Sequence, residues 1–180
     1  MATHAAFLRA VNLGATRKAP SEKLRAIFEE LGFEDVATFR TSGNVVFGST
    51  GGSDAKLRSR IEQGLEDGLG FEVPTFVRSE RELKAIARQS PFPAKAVKAS
   101  KGKLQVALLE KAPPAAAKKK VMTLGSDEDR LALKGTELYW LPSGGTMESE
   151  LDRKALDKLL GPTTMRTKGT VELLAEKFFD

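Results

Sequence analysis

The sequence predicts an α+β fold: two ferredoxin-like (split βαβ) plaits packed together, each an antiparallel sheet with helices on one face. Three observations predict it. The first half reads strand, helix, strand, strand, helix, strand; the second half repeats most of that order; and the segments between strands carry apolar residues at helical spacing. With 180 residues in all, each half-size plait would be marginal alone, so a shared core is expected.

The elements follow in order. "HAAFLRAVNLG" is a strand over about 4–11 that ends at Asn12-Leu13-Gly14. "APSEKLRAIFEELGF" is a helix: Pro20 and Ser21 open it, Leu24, Ile27, Phe28 and Leu31 recur three and four apart, and Gly32 stops it. "EDVATFRTSGNVVFGS" gives two strands joined by a turn of Thr41, Ser42, Gly43 and Asn44. "DAKLRSRIEQGLEDGLG" is a second helix with Leu57, Ile61 and Leu65 on one face, and "PTFVRS" is the fourth strand. "ERELKAIARQ" is a linking helix, and the Pro- and Lys-rich "SPFPAKAVKASKG" is a loop at the domain boundary. Then come a strand, "KLQVALLE"; a short helix, "PPAAAKKKVM"; a hairpin in "EDRLALKGTELYWLP" turning at Lys134-Gly135; and a helix in "MESELDRKALDKLLG". "GPTTMRTKGTVELLAEKFFD" reads as a loop and a final amphipathic helix bearing Val171, Leu174 and Phe178, with no closing strand. The division is therefore residues 1–90, a first plait with its linking helix, and 91–180, a second, incomplete plait with a C-terminal helix.

Composition narrows the chemistry. There is no cysteine, which removes thiolate metal sites and cysteine nucleophiles, and a single histidine, His4, is too few for a His-based metal site. No metal and no cofactor is expected; the Gly-rich "LPSGGT" lacks the Walker Gly-Lys-Ser/Thr ending and reads as a turn. The N-terminal apolar run is short and broken by Arg9, and no stretch approaches the roughly 20 apolar residues of a membrane span, so no membrane association and a cytoplasmic location are expected.

The net charge of +5 is uneven. Residues 91–120 hold eight lysines, Lys118, Lys119 and Lys120 among them, against one acid, Glu110; the rest of the chain has 21 basic and 23 acidic groups. Such a field attracts anions and nucleic acid, though a lysine-rich face also serves solubility alone, and Phe92 is the sole nearby aromatic for stacking.

A second signal is polar. Arg9 and Asn12 belong to the first strand or its end, and Ser42, Gly43 and Asn44 open the third, which lies beside it in this fold. An arginine on a central strand needs a partner, and its fork suits a carboxylate or phosphate. Ser-Gly-Asn is equally what a tight turn requires. RNA-recognition modules share the strand order but stack bases on third-strand aromatics; here Ser42 and Asn44 stand at those places and only Phe47 remains, so ordinary RNA-recognition chemistry is not expected. In "TTMRTKGT", Thr164 or Thr167 can cap the last helix, while Arg166 and Lys168 oppose its dipole unless an anion comes there. The carboxylates lie mostly on helices beside basic residues, and none pairs as an evident acid/base couple.

Taken together, "FLRAVNLG", "KAP", "LGFEDVATFRTSGNVVF", "PF" after a helix, "SEL" before one, and "TMRTKGTV" resemble the bacterial family known as domain of unknown function 1697, over nearly the whole chain. The Arg-x-x-Asn-x-Gly and Ser-Gly-Asn-Val-Val-Phe elements are its most specific part. The resemblance implies two ferredoxin-like plaits in one unit and no established activity. The polar residues that match are Arg9, Asn12, Gly14, Ser42, Gly43, Asn44, Thr164, Arg166 and Thr170. Thr167, Lys168 and Gly169 depart from it, standing where the family has Asn-Trp-Asn.

The expected function is binding of an anionic, phosphate-containing ligand, a small molecule such as a nucleotide or a nucleic acid. Arg9 and Arg166 would pair phosphate; Asn12, Ser42 and Asn44 would orient it; Lys118 to Lys120 would steer. Two alternatives stay open. One is an enzyme on a small phosphorylated or carboxylated substrate with Ser42 or a water reacting, for which a carboxylate of raised pKa near Arg9 would be the base. The other is a polar cluster with a purely structural role.

Overall fold

The computed structural model describes residues 1–12, 15–41 and 43–179. The chain divides into two compact units, Met1–Ala85 with Leu174–Asp180, and Ile86–Leu173.

The first unit contains β1 (Ala2–Leu8), α1 (Ser21–Glu30), β2 (Glu34–Thr38), β3 (Asn44–Ser49), α2 (Asp54–Leu69) and β4 (Thr75–Ser79). The sheet order is β2-β3-β1-β4, all neighbours antiparallel, which is the ferredoxin-like order. Strand alternation sends Ala6, Leu8, Val45, Phe47 and Val77 into one core with Leu24, Ile27 and Phe28 of α1 and Leu57, Ile61 and Leu65 of α2. The helical residues are the ones their spacing selects. Ser53 caps α2 by accepting from the Lys56 amide at 3.3 Å, and Gly70, at φ 85°, ends it.

The second unit repeats the plan with β5 (Gln105–Leu109), α5 (Ala115–Thr123), β6 (Asp129–Lys134), β7 (Glu137–Pro142), α6 (Arg153–Leu160) and β8 (Thr163–Thr167), in sheet order β6-β7-β5-β8. Its core joins Ala107, Leu109, Leu131, Leu138 and Trp140 to Val121 of α5 and to Leu156 and Leu160 of α6. The second plait is therefore complete. "TTMRT", expected as loop, is the closing strand, with Thr164 opposite Leu108 and Arg166 opposite Val106. Two further elements differ from expectation. The boundary loop contains a short helix, α4 (Ala94–Ala99), and "MESELDRKALDKLLG" is a 3-10 turn at Thr146–Glu148 followed by α6, whose start Asp152 caps by accepting from the Ala155 amide.

α3 (Glu80–Arg88) follows β4, and α7 (Lys168–Phe179) follows β8 directly. No helix among the described residues is long and apolar enough to cross a membrane.

Candidate functional site

The polar residues of the first unit hold its loops together. β1 stops at Leu8, so Arg9 lies just past the strand and not on it; its amide donates to the Pro74 carbonyl at 2.9 Å. Asn12 uses its whole amide side chain on backbone. It donates to the Thr41 carbonyl at 2.6 Å and the Ala19 carbonyl at 3.2 Å, and accepts from the Ala19 amide at 2.8 Å. Arg17 reinforces the same corner by donating to the carbonyls of Ala10 and Glu72, and it lies over the Phe71 ring. Asn44 is buried and donates to the Phe39 carbonyl at 2.8 Å. Gly43, at φ 81°, accepts from the Leu8 amide. Gly14 and Ser42 lie outside the described residues.

In the second unit Arg166 is buried on β8. Its guanidinium donates to the Thr164 hydroxyl at 2.8 Å and the Met165 carbonyl at 2.9 Å. Burial lowers its pKa to about 10, which leaves it charged at neutral pH. Thr167 caps α7, accepting from the Thr170 amide at 3.2 Å and sharing a hydrogen bond with the Thr170 hydroxyl. Lys168, unfavourable at a helix start, is offset internally: its ammonium donates to Glu172 at 2.6 Å and the Ala87 carbonyl at 2.9 Å.

A titratable cluster escaped the sequence reading. Pairing of β1 with β4 sets His4 opposite Ser79 and brings Arg78 and Glu82 toward the start of α2. His4 is buried, stacks on Phe47 at 5.6 Å, points Nε2 at the Asp54 carboxylate (3.7 Å), and leaves Nδ1 without a partner among the described residues. Asp54 is raised above its ordinary 3.8, first by burial, then by the charge of Glu82 and a shared hydrogen bond with it, against the opposing pull of His4 and Arg78. The raised carboxylate thus sits beside His4, not beside Arg9. A folded-state pKa above the unfolded value favours folding in acid, and that contribution is lost as pH rises past the raised value. Asp54→Asn should therefore remove a loss of thermal stability that sets in above the ordinary carboxylate range as the Asp54 carboxyl ionises. An unchanged profile in a pH series of melting curves would contradict the assignment.

The strongest surface feature is in the second unit. All eight lysines of residues 91–120 are exposed, and none has an ion pair or side-chain hydrogen bond with a described residue. Lys95 and Lys98 are on α4, Lys118 to Lys120 on α5. Between the segment 91–93 ahead of α4 and the end of α5 runs an open groove of about 650 Å³, walled by Pro91, Phe92, Met122 and Leu131 and edged by Ser126, Asp127 and Arg130. A smaller hollow of about 140 Å³, lined by Ala96, Ser100 and Leu141, shares Asp127 and Arg130 with it. No cluster of His, Cys, Asp or Glu able to hold a metal occurs among the described residues.

Comparison with known proteins follows the same lines. No curated protein matches the chain. A solved structure, that of the conserved bacterial protein SP0830 from Streptococcus pneumoniae, is similar over 100% of this chain and 99% of its own, with a TM-score of 0.75 at 19% identity, a likeness of fold. The model of the family described as "Protein of unknown function (DUF1697)" matches residues 1–139, more than half of the chain, and the chain belongs to that family.

Proposed function

We propose that the protein binds a phosphate-bearing anion, with nucleic acid as the form that its surface fits best. The observation that carries this reading is the lysine segment, residues 91–120: eight exposed ammonium groups, none engaged with a described residue, beside a single acid. Unpaired cations on one stretch of surface release counterions when they meet a phosphate backbone, and that release drives binding. Lys118, Lys119 and Lys120 sit on one short helix and supply the densest part of the field. A cytoplasmic setting goes with this reading.

A structural role for the polar cluster is the second reading, and Asn12 favours it. Its three hydrogen bonds run to backbone groups that a ligand would have to displace. Arg9 remains the first unit's candidate phosphate partner.

The test is fluorescence anisotropy with labelled single-stranded oligonucleotide. The triple variant Lys118→Gln, Lys119→Gln, Lys120→Gln should weaken binding and reduce the magnitude of the log–log salt slope by about 2, at about 0.7 per lost phosphate contact. Equal affinity and slope in the variant would remove these lysines from the interface.

A further inference from the structure

The geometry points to the groove between Phe92 and Met122 as a seat for a base of single-stranded nucleic acid, with the flanking phosphates on Arg130 and the α5 lysines. This rests on the anion-binding reading above and names its ligand more closely. Four observations carry it.

First, the groove is of the right kind. Its volume of about 650 Å³ falls within the roughly 300–1,000 Å³ of small-ligand sites. Phe92, Met122 and Leu131 give it one aromatic and two aliphatic contacts among polar groups, and a purely electrostatic surface needs none of them. Met122 is 48% exposed, one of the few large apolar side chains left open to solvent among the described residues.

Second, the lysines are in register with it. On α5, Lys118 and Lys119 precede Met122 by four and three residues, so they continue the helix face that lines the groove. A strand laid with a base on Met122 and Phe92 runs its backbone past those ammonium groups.

Third, Arg130 stands between two hollows. It lines both the large groove and the small one, and its guanidinium has no partner among the described residues even though Asp127 lines the same walls. A phosphate linking two successive nucleotides requires a cation at such a divide. Asp127 and the exposed Ser126 offer acceptors on the same edge, suited to the exocyclic amino group of a base such as cytosine.

Fourth, the lining carries one cation, Arg130, and one anion, Asp127, and the excess positive charge comes from the α5 lysines beside it, so an anionic polymer is favoured over a basic peptide. A duplex hides its bases, so single strands are selected.

The experiment uses the full chain, a labelled short oligo-dC, a duplex of the same length, and inorganic polyphosphate as competitor. Loss of one stacked base is worth about 1–3 kcal/mol, or about 5- to 150-fold. Phe92→Ala and Met122→Ala should each weaken oligo-dC by at least about fivefold and leave the polyphosphate affinity unchanged, and the wild type should prefer oligo-dC to duplex. Met122 is surface-exposed, so its variant stays informative if Phe92→Ala fails to fold. Wild-type affinity for oligo-dC in both variants would overturn the base seat while the lysine reading stands. No binding of oligo-dC or polyphosphate even at low salt would overturn both.

Discussion

Gly43→Ala will lower the unfolding free energy by about 2–4 kcal/mol, combining left-handed backbone strain with overpacking. Two features set the size. Gly43 has φ 81°, which an alanine adopts only with strain, and its carbonyl is fixed by the Leu8 amide at 2.8 Å. A Cβ there would lie 2.6 Å from Val11 Cγ2 and 2.9 Å from Leu8 Cβ, both in the core of the first unit. Leu8 Cβ is joined directly to backbone and cannot swing aside. Gly51→Ala is the control, since nothing lies within 4 Å of its would-be Cβ and its φ is ordinary; it should change stability by less than about 0.5 kcal/mol. Denaturant unfolding followed by circular dichroism reads both. An alanine at 43 of wild-type stability that nonetheless lost anion binding would make the turn a ligand contact.

Asp129→Ala will destabilise the protein by about 2–4 kcal/mol, because it removes two hydrogen bonds to a buried carboxylate and orphans one buried donor. Asp129 accepts from the Trp140 indole N–H at 2.9 Å and from the Ser149 hydroxyl at 2.6 Å. It also closes the turn that carries Asp127: its amide donates to the Ser126 hydroxyl, and its carbonyl accepts from the Ser126 amide, both at 3.0 Å. Trp140 is the protein's one tryptophan, so its emission reports this environment without ambiguity. The variant should unfold at lower denaturant, with native-state emission shifted from that of the wild type. Unchanged emission and stability would show that the indole finds another acceptor.

Much of the fold is legible in the sequence because packing is periodic. Leu24, Ile27 and Phe28, and Leu57, Ile61 and Leu65, announce their buried faces at helical spacing, and each reaches the core. β8 is hidden for a physical reason. Its buried positions, Thr164 and Arg166, are polar and lie on the sheet face opposite the helix-side core, and the one apolar residue turned to that core, Met165, stands between Thr163 and Thr167, so the alternation that marks a strand carries almost no hydrophobic signal. α4 is hidden because it is only six residues long, too short to show a helical period, and none of its residues is buried. The site divides in the same way. Charge is additive along a chain, so the lysine segment is visible as soon as residues are counted. The groove is not, because Phe92, Met122 and Arg130 come from three segments that meet only once the second sheet has formed. His4 and Asp54 likewise meet through strand pairing. The fold's strand order could have suggested it, since β1 lies between β3, whose end leads into Asp54, and β4, whose end leads into Glu82.

The central claim is that the lysine segment is a phosphate-binding surface. Its most direct test is the salt dependence of wild-type binding to single-stranded oligonucleotide between about 50 and 200 mM salt. With about four phosphates engaged, log affinity should fall linearly against log salt with a slope near about −3. Absence of binding at the low end, or binding that salt does not change, would contradict the claim and leave those lysines as a solvated face.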